Sequence, residues 1–217
     1  MTRRTVSIPC ATIVLEGILD IPEVSDSHVP GAVICHPHPL FGGTMSNNVT
    51  KAISTGLLER GTVSLRFNFR GTGRSQGSYG EGVAEIDDVK AALDFLQRID
   101  EVDPHKIILG GYSFGCWVAL KAASEDRRPQ RLIGVSPPVD EYDFSFLENE
   151  RRPILLMAGD RDFVCSQNKF KALVESIPEP KVGVTLSGAD HFHFGGENNL
   201  IRETKAFLDR YPWEDSP

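Results

Sequence analysis

Ile107-Ile108-Leu109-Gly110-Gly111-Tyr112-Ser113-Phe114-Gly115-Cys116-Trp117-Val118-Ala119-Leu120 is the stretch on which the fold turns. The aliphatic triplet reads as a buried strand, and the apolar run from Phe114 reads as a helix that starts at once. Between them lies the pattern G-x-S-x-G, centred on Ser113. A strand that passes directly into a helix through one serine needs a sharp turn, which lifts the hydroxyl above the sheet. The flanking glycines leave room where side chains would strike neighbouring backbone. The same pattern recurs at Gly73-Arg74-Ser75-Gln76-Gly77. Chance supplies about 0.1 such matches in a chain of this size, so context must decide between the copies. Ser75 is followed by Gly77-Ser78-Tyr79-Gly80-Glu81-Gly82, which cannot begin a helix, so it reads as a loop residue.

Outward from Ser113 the chain alternates strands with helices. Residues 5–22 alternate in polarity and read as two strands divided at Gly17. A buried strand at 31–35 precedes a Gly/Pro/His loop at 36–43. A helix at 47–60 closes on Gly61, and a strand at 62–69 runs into a Gly/Ser-rich loop. A helix follows at 84–99. Beyond Ser113, strands are expected at 131–135, 153–158 and 181–186, with helices at 114–124, 168–177 and 199–211. The strand holding Ile107 is expected at 106–110. This order predicts an α/β fold, a mostly parallel sheet with helices on both faces. One domain over residues 1–217 is expected, frayed at 1–4 and 212–217. Only about 17 residues, 136–152, separate two strands where a lid would sit. That is too short for a separate core, so the site should be open.

Composition narrows the partners. The 217 residues carry a formal net charge of −7, which disfavours nucleic acid and anionic membranes. No apolar run approaches the roughly 20 residues of a membrane span, and no h-region follows Arg3-Arg4. Four cysteines at 10, 35, 116 and 165 lack metal-ribbon spacing. Cys35 and Cys116 read as small core residues, and a reduced cytoplasmic protein is expected. The pairs Arg127-Arg128 and Arg151-Arg152 read as solvated loop charges.

A serine hydroxyl needs a base within reach and a third group to orient that base. Downstream of Ser113 the chain has two histidines, His191 and His193, on one loop after the last strand. His191 lies nearer the strand end and is the expected base; His193 either lines the site or faces solvent, with the second favoured. The loop Gly159-Asp160-Arg161-Asp162-Phe163-Val164 offers two carboxylates, and spacing alone does not choose between them. Asp190, adjacent to His191, should point away from the imidazole. An oxyanion hole needs two backbone N–H donors. Phe114 supplies one. The loop His36-Pro37-His38-Pro39-Leu40 supplies the other, and its prolines have no N–H. His38 and Leu40 remain, with His38 favoured. Phe41, Arg70 and Tyr112 are further candidates to line the pocket.

Five segments taken in order resemble the α/β-hydrolase superfamily, most closely its small lidless bacterial branch near the dienelactone-hydrolase-like proteins. They are His36-Pro-His-Pro-Leu-Phe-Gly-Gly-Thr-Met-Ser-Asn-Asn48, Phe67-Asn-Phe-Arg-Gly-Thr-Gly-Arg-Ser75, Gly111-Tyr-Ser-Phe-Gly115, Gly159-Asp-Arg-Asp-Phe-Val164 and Gly188-Ala-Asp-His191. The resemblance implies Ser113 as nucleophile, Asp162 as acid, His191 as base and His38 as oxyanion donor, with no cofactor and no metal. Pro37 stands where many members have glycine. The implied activity is that of a serine carboxylesterase acting on small or short-chain esters. Thioesterase, peptidase and perhydrolase reactions share the same triad. The implied partner is a small ester, and a homodimer is compatible. A zinc hydrolase built on the two H-x-H pairs, His36/His38 and His191/His193, is a rival, but both pairs sit in loops. A non-catalytic binding protein on this fold is the other rival; such proteins usually lose a triad member, and none is missing here.

Overall fold

The computed structural model describes residues 1–23 and 28–213. Among these residues eight strands form one sheet in the order β1-β2-β4-β3-β5-β6-β7-β8. They are β1 (Thr2–Cys10), β2 (Ile13–Ile21), β3 (Val29–Cys35), β4 (Val63–Phe67), β5 (Val102–Tyr112), β6 (Pro129–Val135), β7 (Ile154–Gly159) and β8 (Lys181–Leu186). The run from β4 to β8 is parallel, and β1 and β2 join antiparallel at one edge. Among the described residues five α-helices cover the sheet: α1 (Asn48–Leu58), α2 (Ala84–Leu96), α3 (Phe114–Glu125), α4 (Gln167–Ser176) and α5 (Glu197–Arg210).

Side chains alternate between two cores because successive residues of a strand face opposite sides. Val33, Leu109, Leu132 and Leu156 pack on the α2, α3 and α4 side. Ile34, Ile108, Ile133 and Leu155 pack on the α1 and α5 side. Burial on both faces is why these strands read as unbroken apolar runs. All four cysteines are buried in the first of these cores.

Several expectations need correction. The first two strands turn at Ala11-Thr12, not at Gly17, which lies inside β2. A side chain at Gly17 would meet Val6, Ile8 and the Arg66 carbonyl within 3.1–3.2 Å, so packing rather than turning accounts for that glycine. Residues 2–4 are not frayed; they pair with Leu19–Ile21, and Arg3 donates to Asp20. At the other end Trp213 packs under the Arg131 guanidinium, 3.5 Å from it, while 214–217 lie outside the described residues. Arg152 is not a solvated charge. It is largely buried and donates to Glu150 and to the carbonyls of Ala123, Asp126 and Pro129.

Strand order positions the site. From β3 the chain passes to β4 on one side and then to β5 on the other, so the loops leaving the carboxyl ends of β3 and β5 diverge. A crevice opens between them, as at other topological switch points of open α/β sheets. Residues 136–152 contain one short 3-10 helix, Ser145–Leu147, and otherwise only turns.

Candidate active site

Ser113 stands between β5 and α3 with φ +54° and ψ −124°, a conformation that L-residues avoid. Its N–H donates to the Val135 carbonyl of β6 at 2.9 Å, and its own carbonyl accepts from Cys116 and Trp117 at the start of α3. The turn is tight enough to require both glycines. A Cβ on Gly111 would lie 2.3 Å from the Gly115 carbonyl oxygen, and one on Gly115 would lie 2.2 Å from that of His36.

The structure brings Ser113, His191 and Asp162 together. The Ser113 hydroxyl lies 2.9 Å from His191 Nε2, and His191 Nδ1 lies 2.8 and 3.0 Å from the two Asp162 oxygens. A carboxylate can only accept here, so Nδ1 carries the proton and Nε2 is free to accept from Ser113. Asp162 follows β7, and its Oδ1 also accepts from the backbone N–H groups of Val164 and Cys165. Burial alone would raise the Asp162 carboxyl, but hydrogen bonding to His191, the imidazole's charge, the Ser136 hydroxyl and the Val164 N–H hold it below the usual carboxylate range. The Tyr112 hydroxyl donates to the His191 carbonyl at 2.7 Å and pins the histidine loop to β5. Asp160 accepts from the Gly188 N–H at 2.7 Å, tying two loops without touching His191. Asp190 accepts from the N–H groups of Phe192 and His193, turned from the imidazole as expected.

A cavity of about 450 Å³ opens over Ser113. Its walls include His38, Phe41, Tyr112, Phe114, Phe163 and Phe192. Arg70 is not among them; its guanidinium is held by buried Asp88 at 2.7 Å. His38 and Leu40 are differently placed. The Leu40 N–H donates to His38 Nδ1 at 3.2 Å, and Leu40 lies outside the cavity. Among the described residues, the backbone N–H groups of Phe114 and His38 have no intramolecular acceptor. His36 accepts the Phe69 N–H on Nε2 and joins the loops after β3 and β4. Burial lowers its pKa to about 4, so it stays neutral.

The dienelactone hydrolase family model matches residues 76–206. The chain belongs to the dienelactone hydrolase family. An uncharacterized protein of Rickettsia prowazekii is 37% identical over 180 residues, 78% of this chain and 74% of that protein. An α/β serine hydrolase homologue from Coxiella burnetii has a TM-score of 0.86 at 37% identity, covering 96% of this chain and 98% of that one. XC6422 of Xanthomonas campestris, an α/β serine hydrolase without a lid, has a TM-score of 0.87 at 28% identity, covering 99% and 98%. This member of the dienelactone hydrolase family therefore has the lidless α/β serine hydrolase fold, and its elbow carries serine.

Near the triad of this family member, the sequence reading misses Ser136 and misplaces His193. His193 does not face solvent. It is 1% exposed, and its Nε2 lies 2.8 Å from the hydroxyl of buried Ser136. Ser136 directly follows β6 and leads into Pro137-Pro138, so the only sequence signal is a serine just past the carboxyl end of a core strand. Both residues hold positive φ, +46° at Ser136 and +53° at His193. The four imidazoles of the two H-x-H pairs do not converge, and among the described residues no three His, Cys, Asp or Glu side chains cluster as a metal site would need. No helix among those residues is long and apolar enough to cross a membrane.

Proposed function

We propose that the protein is a serine carboxylesterase that hydrolyses small or short-chain acyl esters. The observation that carries this reading is the unbroken hydrogen-bonded line from Ser113 through His191 to Asp162, opening on a cavity of small-ligand size. His191 takes the Ser113 proton as Oγ attacks the ester carbonyl, and the N–H groups of Phe114 and His38 receive the oxyanion. His191 then protonates the departing alcohol. Water activated by the same imidazole releases the acid from the acyl-enzyme, while Asp162 fixes the tautomer and stabilises the imidazolium. The apolar walls favour an acyl or aryl group, and the short 136–152 segment supplies no covered tunnel for a long chain.

The test is a p-nitrophenyl ester series of increasing acyl length, run beside thioester and amide substrates and beside Ser113→Ala. Turnover of acetate and butyrate esters, lost by about 10³-fold or more in Ser113→Ala, is expected. Retained turnover in that variant would sink the triad, and a clear preference for long acyl chains would sink the substrate class.

A further inference from the structure

Behind the triad lies a second serine–histidine pair. Ser136 and His193 are 0% and 1% exposed, so neither can meet a substrate. The pair is held from several sides. The Ser136 N–H donates to the Met157 carbonyl of β7, the His193 N–H donates to Asp190, and the His193 carbonyl accepts from Gly196. The Tyr112 ring meets His193 edge-on at 6.3 Å. The groups bearing electrostatically on His193 are Asp162, His191, Asp190 and Glu197, and burial keeps its imidazole neutral. His193 Nδ1 is buried with no hydrogen-bond partner.

That orphan nitrogen favours one placement of the proton. If Ser136 donated to Nε2, the ring proton would sit on Nδ1 as a buried N–H without an acceptor, an arrangement that native proteins rarely contain. If instead Nε2–H donates to Ser136, Nδ1 holds only a bare lone pair and the Ser136 proton is released to another acceptor. Asp162 Oδ1 already accepts from three donors, whereas Oδ2 has the His191 contact alone among the direct contacts of the described residues.

From this geometry we infer that Ser136 and His193 are positioning residues: His193 Nε2–H donates to Ser136, whose hydroxyl donates to Asp162 and holds that carboxylate against His191. The inference rests on the serine-hydrolase reading of Ser113. Hydrogen bonds then run in one sense from His193 to Asp162 and meet there the line from Ser113. Ser136 is already one of the groups that depress the Asp162 carboxyl. Without it, the negative charge is less dispersed and its hold on the His191 imidazolium is stronger.

The experiment follows inactivation of Ser113 by a small fluorophosphonate across pH, which needs no knowledge of the substrate. Ser136→Gly removes the hydroxyl while suiting the positive φ, so relief of backbone strain offsets part of the cost of the lost buried hydrogen bond, and rates are compared on protein shown to be folded. Its maximal inactivation rate should fall roughly tenfold with little change in reagent affinity. The acid limb of its pH profile should rise by roughly half a unit. His193→Phe should do the same, His193→Gln, which keeps an N–H donor, should recover most of the rate, and Ser136→Gly/His193→Phe should be no worse than either single variant. A folded Ser136→Gly with the wild-type rate and pH profile overturns the inference. So does a slower variant with an unmoved acid limb, or additive losses in the double variant. If the wild type itself is not labelled at Ser113, the serine-hydrolase reading fails and this inference falls with it.

Discussion

Ser113 holds a backbone conformation that costs about 1–3 kcal/mol in a residue with a side chain. Ser113→Gly should therefore raise the melting temperature while removing the nucleophile, and calorimetry beside fluorophosphonate labelling checks both halves. His36 carries a different prediction. Burial depresses its pKa from 6.5 to about 4. The unfolded chain takes up the proton first as pH falls, so His36 supports the fold fully above about pH 6.5 and progressively less toward pH 4. That contribution is about 3 kcal/mol. Urea unfolding at pH 7 and pH 4 should show it, and His36→Gln, whose amide oxygen can still accept from Phe69, should lack it. At this scale Ser113 and His191 were legible from motif and order, and Asp162 became so through family resemblance. Ser136 and His193 were not legible, because their pairing is made only when β6 and the last loop meet.

The elements were legible wherever burial on both faces leaves an apolar run, as at β3, β6 and β7. Their ends were not. β5 begins at Val102 rather than near 106 because the half-buried Asp103 and the exposed Pro104 and His105 extend along it beyond the buried part. The turn between β1 and β2 carries no glycine signal because Ala11 takes φ +49° itself. The junction of β5 and α3 makes the sharpest demand on sequence. Gly115→Ala would place a methyl group 2.2 Å from the His36 carbonyl oxygen. It should lower stability by about 1–3 kcal/mol and displace the loop that carries His38. Denaturant midpoints report the first effect. A loss of fluorophosphonate reactivity larger than the stability loss accounts for, measured on folded protein, reports the second.

The molecule's two cores differ in one respect that bears on how it can be watched. All four thiols belong to the layer under α2, α3 and α4, and none to the layer under α1 and α5. Burial raises every one of them, Cys10 to about 11 and the other three further, and a thiol that is neither accessible nor ionised does not react. In native buffer an aromatic disulfide reagent should modify essentially none of them, and in denaturant it should modify all four. At intermediate conditions the labelling rate becomes a clock for opening of one layer alone. Hydrogen exchange in α1 and α5 would time the other. Equal free energies from the two would mean that the sheet and both its coverings open as a single unit, and a gap between them would mean that one layer peels away first.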